Sequence, residues 1–365
     1  MDASRVMKNL GAVGVPILGV VVLAAGWNVK DPAVWFVALM AVVLAGTVLA
    51  AVHHAEVIAH KVGEPYGSLV LAIAVTVIEV ALIITLTISG GPETASLARD
   101  TVFAAVMITT NGIIGLCLLV GALRHGLIRF NAEGAGALLA TVTTLAVLCF
   151  VLPTFTSGES QQFSTQQLVF VAIISLALYT LFVTTQTLKH RDFFLPVAAD
   201  GKKIRDEDHA TAPSRRETFV SLGMLLLALV AVVGLAKLVS PSIEAGVAAV
   251  GFPSSFVGVV IALLVLLPES IAAVRAARRN RIQTSINLGL GSAMASIGLT
   301  IPAIAVASFF LPGPLLLGLG STQIVLLVLT VLVSILTIAP GRATRLQGGV
   351  HLAVFAAFVF LSIQP

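Results

Sequence analysis

The sequence predicts an all-helical integral membrane protein, and its composition, the length of its apolar runs and the distribution of its basic residues all indicate this class. Of the 365 residues, 58% are hydrophobic and only 10% are charged, and the mean hydropathy is +1.06. Soluble domains have roughly a quarter of their residues charged. A transmembrane β-barrel would instead show segments of about ten residues with alternating polarity, and no such segments are found in the sequence.

About eleven apolar runs are long enough to cross the hydrocarbon core of a bilayer, which requires roughly 17 to 25 helical residues. In chain order they cover residues 10–27, 33–52, 67–89, 101–123, 134–153, 166–188, 217–238, 252–274, 284–309, 315–339 and 347–363. The first run is interpreted as a retained helix, because no small-residue cleavage site and polar domain follow it. The chain is therefore expected to cross the membrane about eleven times.

The basic residues lie mainly on one side of these spans. Only Lys30, Arg99 and Lys237 fall on the side opposite the N-terminus, which leaves 18 of the 21 Lys and Arg residues on the N-terminal side. Basic residues accumulate in cytoplasmic loops. The distribution predicts an N-terminus in the cytoplasm and a C-terminus outside. The concentration of basic residues in cytoplasmic loops also accounts for the formal charge of +4, so this charge does not imply a nucleic-acid partner.

A polar stretch near the middle divides the chain into two halves. After an extra first helix in residues 1–30, five spans lie in residues 31–188 and five in residues 217–365, on either side of a mixed-charge cytoplasmic linker at residues 189–216. Because five is an odd number, two related halves would cross the membrane in opposite senses, as in many secondary transporters. The sequence thus predicts two inverted five-helix repeats, argued from the positions of polar residues.

Two glutamates mark corresponding places in these halves. Fifteen of the 17 acidic residues fall in loops, whereas Glu79 and Glu269 each lie near the middle of the second helix of their half. At a rise of about 1.5 Å per residue, Glu79 lies about 18 Å into its helix, near the midplane of a core roughly 30 Å thick. A lone charge there costs at least about 2.5 kcal/mol. The expected counter-charge is a proton or a metal cation that binds and leaves.

Small and hydroxylated residues accompany the two glutamates at helical spacing. Thr76 shares a face of the third span with Glu79, the fourth span contributes Asn111, and the ninth contains a row that includes Ser292 and Ser296. Amide, hydroxyl and carboxylate oxygens suit hard cations such as Ca²⁺ and could also serve Na⁺. These four residues are therefore the candidate supporting ligands, although such rows also form close-packing faces in membrane helices.

Pro268 comes directly before Glu269. A proline ring inside a helix presses on the carbonyl four residues earlier, which here belongs to Leu264. We therefore expect a helix break that presents the Leu264 carbonyl oxygen beside the carboxylate. The first half has Ile78 at the corresponding place, so a break there would need another cause.

Two long segments resemble a known family. The first runs from His53 to Leu82 and reads HHAEVIAHKVGEPYGSLVLAIAVTVIEVAL, and the second runs from Leu263 to Pro302 and reads LLVLLPESIAAVRAARRNRIQTSINLGLGSAMASIGLTIP. They resemble the paired signature regions of ChaA-type bacterial calcium/proton antiporters, in the calcium/cation antiporter (CaCA) superfamily. The length, the helix count, the central loop and the closing segment GRATRLQGGVHLAVFAAF fit as well. The resemblance therefore covers nearly the whole chain.

The resemblance implies an eleven-helix fold in the bacterial cytoplasmic (inner) membrane, with an extra first helix and two inverted repeats. It also implies that Glu79 and Glu269 bind Ca²⁺ and exchange it for protons. Many relatives have a Gly-Asn pair shortly before each glutamate, and this chain has Val75 and Thr76 at those positions of the first half. ChaA-type proteins are also associated with Na⁺/H⁺ and K⁺/H⁺ exchange, so the identity of the cation stays open.

The predicted mechanism is antiport by alternating access, in which Glu79 and Glu269 share a midplane site, bind a cation when deprotonated and release it on reprotonation. One alternative keeps the fold and exchanges Na⁺ or K⁺ for protons. An intramembrane hydrolase is a remote alternative, because the only histidine in a span, His351, lies near one end of the last span. A passive channel is a further alternative, but two titratable midplane groups in opposed repeats favour coupled exchange. The expected partners are the transported cations, protons and membrane lipid, and no cofactor or enzymatic activity is expected.

Three histidines, His53, His54 and His60, precede the third span together with Glu56 and Glu64. They could form a pH sensor or a cytoplasmic funnel for cations, because histidine titrates near neutral pH. The preferred interpretation is a solvated loop that faces the membrane interface.

Overall fold

A computed structural model of the protein describes residues 3–29, 31–63, 66–90, 94–156, 161–195, 213–310 and 313–364. Within these ranges the side chains of residues 3–11, 68, 89 and 90 are not described. The linker predicted at residues 189–216 is described only at its two ends.

The described chain is almost entirely helical, as the composition predicts. Its elements are α1 (Ala3–Gly26), α2 (Val34–Val62), α3 (Tyr66–Gly90), α4 (Leu97–Met107), α5 (Ile114–His125), β1 (Ile128–Arg129), α6 (Ala132–Ala146), α7 (Leu152–Thr156), α8 (Thr165–Thr184), α9 (Arg215–Ala249), α10 (Phe256–Val265), α11 (Leu267–Arg278), α12 (Ile282–Ala295), α13 (Ile301–Ser308), α14 (Ser321–Ile338), β2 (Arg342–Ala343) and α15 (Arg345–Ile363). Wider π-helical segments interrupt several spans, at Ile108–Ile113, Val147–Val151, Thr185–Lys189 and Ser296–Thr300. Arg191–Phe193 forms a 3₁₀ turn.

These elements form two compact units. The first unit contains α1, α2, α3 and α9, and within it α9 packs against the other three helices. The second unit contains α4 to α8 and α10 to α15 with the two short strands. Each unit therefore contains helices from both predicted halves of the chain. The two compact units do not correspond to the two predicted sequence repeats.

Nine helices of the described chain are long and apolar enough to cross a bilayer, and the bent pair α10 and α11 makes ten. In this count, continuous helical runs such as Leu97–His125 are single spans. The apolar part of α1 with described side chains, Ala12–Gly26, is shorter than a full span. The integral membrane class is thus confirmed, whereas the total of eleven spans stays a prediction.

Three predicted boundaries are wrong. The second span was expected to end near residue 52, but α2 continues to Val62 and ends at Gly63, whose φ of 76° suits glycine. The seventh span continues beyond residue 238 through Pro241 to the end of α9. The tenth begins at Ser321 and not near residue 315. Hydrophobic runs locate the part of a helix in lipid, whereas caps and glycines decide where the helix ends.

One rim of the second unit joins the loops that the charge distribution places on the N-terminal side. β1 pairs with β2 in antiparallel register. The backbone amide of Asn131 donates to Gln283 Oε1 at 2.7 Å, and Asn287 Nδ2 donates to the Phe194 carbonyl at 2.7 Å. The ends of α5 and α8 and the starts of α6, α12 and α15 therefore lie together.

The opposite rim of the second unit is joined by Arg99. Its guanidinium donates to Gln161 Oε1 at 2.9 Å and to the Gly318 carbonyl at 2.8 Å, and it forms an ion pair of 2.8 Å with Asp100. These residues come from loops that the sequence places on the side opposite the N-terminus. The spans of this unit therefore alternate in direction in the predicted order.

Glycines bring α5 and α15 into backbone contact. A Cβ atom on Gly348 would lie 2.5 Å from the Leu119 amide nitrogen and 2.9 Å from the Gly115 carbonyl oxygen, which is closer than real side chains approach. Small residues allow such approaches between membrane helices, where packing must supply the attraction. The contact fixes α15 against the span that contains Asn111.

Gly348→Ala is expected to lower the melting temperature of the purified protein in detergent by several degrees, because overpacking against backbone atoms costs about 1–3 kcal/mol. Gly349→Ala is the matched control, since a Cβ atom there meets nothing within 4 Å. Equal melting temperatures for the two variants would contradict the assigned contact.

Candidate functional site

Glu79 lies near the middle of α3 and is 2% exposed. Thr76, one turn earlier, is also buried, whereas Ile73 and Val77 on other faces of the helix are exposed. The predicted shared face of Thr76 and Glu79 is therefore buried in the protein, and the exposed face of the helix is apolar. No break interrupts α3 between Tyr66 and Gly90, so this glutamate lies on a regular helix.

Glu269 lies at a bent helix. α10 and α11 meet at Leu266 with an angle of 56°, and Pro268 lies in the first turn of α11. The Leu266 amide donates to the Ala262 carbonyl at 2.9 Å and is also directed at the Leu264 carbonyl. The helix break expected from Pro268 is therefore present, and the use of the Leu264 oxygen as a cation ligand stays a prediction.

The bend also changes the electrostatics at Glu269. The half-buried carboxylate belongs to the first turn of α11, where the backbone N–H groups give the helix a positive end. An anionic side chain at such a position is stabilised by about 0.3–1 kcal/mol at exposed sites and by more in partly buried geometry. The break therefore places the Glu269 carboxylate at the positive end of α11.

Asn111 lies in the π-helical segment Ile108–Ile113, at the middle of the span formed by α4 and α5, and is fully buried. Its Nδ2 donates to Thr330 Oγ1 at 2.9 Å, and its Oδ1 lies 3.1 Å from His351 Nδ1. The segment packs against α11, α12, α14 and α15. Single turns of π-helix occur frequently at functional sites.

The row of small and hydroxylated residues on the ninth span has two parts. One part packs helices together, and the other lies at the π-helical segment Ser296–Thr300. Ser285 Oγ donates to the Ala273 carbonyl of α11 at 2.7 Å, and a Cβ atom on Gly289 would lie 3.0 Å from Ile114 of α5. These two residues hold helices together. Ser296 is buried at the start of the π-helical segment Ser296–Thr300, and Ser292 is half-buried one turn earlier.

The structure thus brings part of the predicted site together within the second unit. Glu269, Asn111 and Ser296 lie on elements that pack against each other, namely α11, the segment Ile108–Ile113 and the span containing α12. Glu79 and Thr76 belong to α3 in the first unit. No group of three or more His, Cys, Asp or Glu side chains suited to a metal ion occurs among the described residues.

Two polar groups were not identified as site candidates from the sequence. His351 was placed near the end of the last span, yet it is buried and contacts Asn111. Asp100 was counted as a loop residue, yet it is buried in the first turn of α4, where Arg99 and the Ser96 hydroxyl bind its two oxygens. The signal for His351 was available, because a histidine inside an apolar span needs buried partners.

The interpretation of His53, His54 and His60 as a solvated loop is wrong. All three belong to α2, because no glycine or proline interrupts the chain between Thr47 and Val62. His54 is buried, and its Nε2 lies 3.0 Å from the Ala12 carbonyl of α1. His53 and His60 are exposed on the same helix.

Comparison with known proteins identifies the family. The model of the family described as "Sodium/calcium exchanger protein" matches residues 32–188 and 220–364. The chain belongs to this family. Its relatives include a Sinorhizobium fredii protein named as an ionic transporter, y4hA, which is 46% identical with 96% of this chain and 95% of the relative covered.

A second relative, the sodium-potassium/proton antiporter ChaA of Escherichia coli, is 33% identical, with 94% of this chain and 93% of the relative covered. Among solved structures, the H⁺/Ca²⁺ exchanger CAX superposes with a TM-score of 0.73 at 16% identity, covering 98% of this chain and 88% of that one. That likeness concerns the fold. The resemblance to ChaA-type antiporters is confirmed, and the chain is a transporter and not an intramembrane hydrolase.

Pro268→Ala is expected to raise the cation concentration for half-maximal exchange about two- to fivefold. Alanine restores an amide that can continue the helix across the bend, which removes the positive helix end worth about 0.3–1 kcal/mol to a charged Glu269. Cation-dependent proton flux in proteoliposomes measures this change. The control is Pro241→Ala, at a proline inside α9. A half-saturation concentration unchanged by Pro268→Ala would argue against a role for the bend.

Proposed function

We propose that the protein exchanges Ca²⁺ for protons across the bacterial cytoplasmic membrane, with Glu79 and Glu269 as the groups that bind either the cation or the protons. The observation that carries this proposal is the burial of Glu79 in the middle of an apolar span, at 2% exposure. Acidic residues inside membrane spans mark ion pathways and proton relays. The E. coli relative is named as a sodium-potassium/proton antiporter, which supports the coupling to protons.

The chemistry of two carboxylates fits this exchange. When both are deprotonated they balance the charge of Ca²⁺, and when both are protonated they carry two protons, which makes a one-for-two exchange electroneutral. Hard cations take most of their ligands from oxygen. Thr76, Asn111, Ser292, Ser296 and the Leu264 carbonyl are the proposed further ligands.

Alternating access completes the proposal. A transporter of this kind binds its cargo near the midplane and opens to one side at a time, and inverted repeats supply the two states. The family match in two segments, residues 32–188 and 220–364, supports the proposal that the halves are related. The proposed orientation has the N-terminus in the cytoplasm, as the basic residues predict.

Exchange of Na⁺ or K⁺ for protons is the second candidate. The E. coli relative is named for sodium and potassium, and this chain has Val75 and Thr76 before Glu79 where many calcium/proton exchangers have Gly-Asn. A threonine offers a hydroxyl where asparagine offers an amide carbonyl, and this exchange of ligand type would alter the preference between divalent and monovalent cations.

Glu79→Gln and Glu269→Gln are each expected to abolish cation-dependent proton flux in everted vesicles, because the amide keeps the shape of the side chain but cannot release a proton. Glu133→Gln is the matched control, since Glu133 is exposed at the start of α6. Retention of cation-dependent flux by both Glu79→Gln and Glu269→Gln would overturn the proposal.

Competition among cations separates the two candidates. In vesicles with a preset pH gradient, Ca²⁺ is expected to dissipate the gradient at lower concentration than Na⁺ or K⁺. Thr76→Asn should then strengthen the calcium response, because it supplies the amide carbonyl found in many relatives. Dissipation by Na⁺ or K⁺ with no response to Ca²⁺ would establish the second candidate.

A further inference from the structure

A buried polar network joins three spans of the second unit. It consists of Asn111 in the π-helical segment, Thr330 and Thr337 on α14, and His351 on α15, all of which are at most 4% exposed. Asn111 contacts both Thr330 and His351, and His351 Nε2 lies 3.1 Å from Thr337 Oγ1. Polar groups in an apolar interior are costly unless they are hydrogen-bonded. The network therefore holds its members in one arrangement.

The surroundings of Asn111 decide which way its carboxamide points. Its Nδ2 faces Thr330 Oγ1 at 2.9 Å, Thr110 Oγ1 at 3.3 Å and Met107 Sδ at 4.0 Å. The hydroxyl of Thr110 donates to the Val106 carbonyl, and that of Thr330 donates to Met107 Sδ at 3.5 Å. Both hydroxyl oxygens therefore act as acceptors toward Asn111, so the NH₂ group lies on this side and Oδ1 faces His351.

This orientation assigns the protonated nitrogen of His351. Because an amide oxygen only accepts hydrogen bonds, Nδ1 of His351 carries the proton that is donated to Asn111 Oδ1. In the neutral ring Nε2 is then the acceptor, and the Thr337 hydroxyl donates to it over 3.1 Å. Both ring nitrogens are satisfied without a charge on the imidazole.

We propose that His351 is a positioning residue that fixes the carboxamide oxygen of Asn111 for binding of the transported cation. An amide oxygen has two lone pairs, and His351 occupies one of them. The other is left for the cation on the segment that packs against α11, the helix that contains Glu269. This inference rests on the proposed function, because it assumes that Asn111 is one of the cation ligands.

Thr330 is the second positioning residue. Without its oxygen the NH₂ group of Asn111 would lose its 2.9 Å partner, and the carboxamide could rotate and present a donor to the cation. Thr337 contacts the far side of the imidazole, at Nε2. The two threonines of α14 are therefore expected to differ in their effect on cation binding, although both are buried.

Two substitutions of His351 test the contacts of the two ring nitrogens separately. In His351→Asn the side-chain amide nitrogen takes the place of Nδ1 and can still donate to Asn111. In His351→Gln the amide reaches the place of Nε2 and keeps the contact with Thr337 alone. Thr330→Val and Thr337→Val, which replace each hydroxyl with a methyl group, complete the set. Initial rates of Ca²⁺-dependent and Na⁺-dependent proton flux in proteoliposomes give the half-saturation concentration and the maximal rate of each variant.

His351→Gln and Thr330→Val are expected to raise the half-saturation concentration about tenfold, since loss of a group that orients a metal ligand costs about 10–100-fold in affinity. Their maximal rates should change little. His351→Asn and Thr337→Val should stay within about twofold of the wild type. In an Asn111→Ser background, His351→Gln should have no further effect, because the group that it orients is absent.

A purely structural role predicts another pattern, in which all four variants lower the melting temperature and the amount of active protein with unchanged half-saturation. That pattern, or equal half-saturation for His351→Asn and His351→Gln, would overturn the proposal. If His351→Gln does not fold, the comparison of Thr330→Val with Thr337→Val decides in the same way. Glu79→Gln and Glu269→Gln in the same vesicles test the proposed function separately. If neither substitution abolishes the flux, the proposed function is wrong, and the His351 variants can still be compared with the wild type.

Discussion

The hydrocarbon core of a bilayer supplies no hydrogen-bond partners, and every backbone polar group in a span must therefore find one within the protein. Regular helix solves this for most of the chain, and each departure from it requires a local substitute. At the segment Ile108–Ile113 the substitutes are visible, because Thr109 and Thr110 donate their hydroxyl hydrogens to the carbonyls of Ala105 and Val106. The threonines beside Asn111 thus maintain the irregular backbone.

The same constraint applies to the acidic side chains in the interior of the protein. Asp100 is buried at a rim, where it forms an ion pair with Arg99 and accepts a hydrogen bond from Ser96. Glu79 lies at the middle of a span, and Glu269 gains support from the positive end of α11. A helix end attenuates the cost of a charge, and the proposed exchange uses this carboxylate to bind either a proton or a cation.

Much of the fold could be predicted from hydrophobic runs and charges, and the reasons for the failures are local. The break at Pro268 followed from the chemistry of proline. α3 is continuous, as expected from Ile78 at the place that corresponds to the proline. The end of α2 at Gly63 did not follow, because the run of apolar residues stops ten residues before the helix does. The hydroxyl row on α12 contained both packing and candidate ligand residues, and only tertiary contacts such as that of Ser285 with Ala273 distinguish them. The contact between Asn111 and His351 spans 240 residues, and no periodicity in a single sequence predicts such a pairing.

The backbone contact at Gly348 has a mechanical consequence. Where two helices meet through side chains, one can slide along the other by exchanging rotamers, but α5 and α15 meet through main-chain atoms that have no such freedom. A shift of one turn would bring a bulky residue such as Leu352 against the Leu119 amide. α5 and α15 therefore resist sliding past each other and behave as one rigid piece of the second unit.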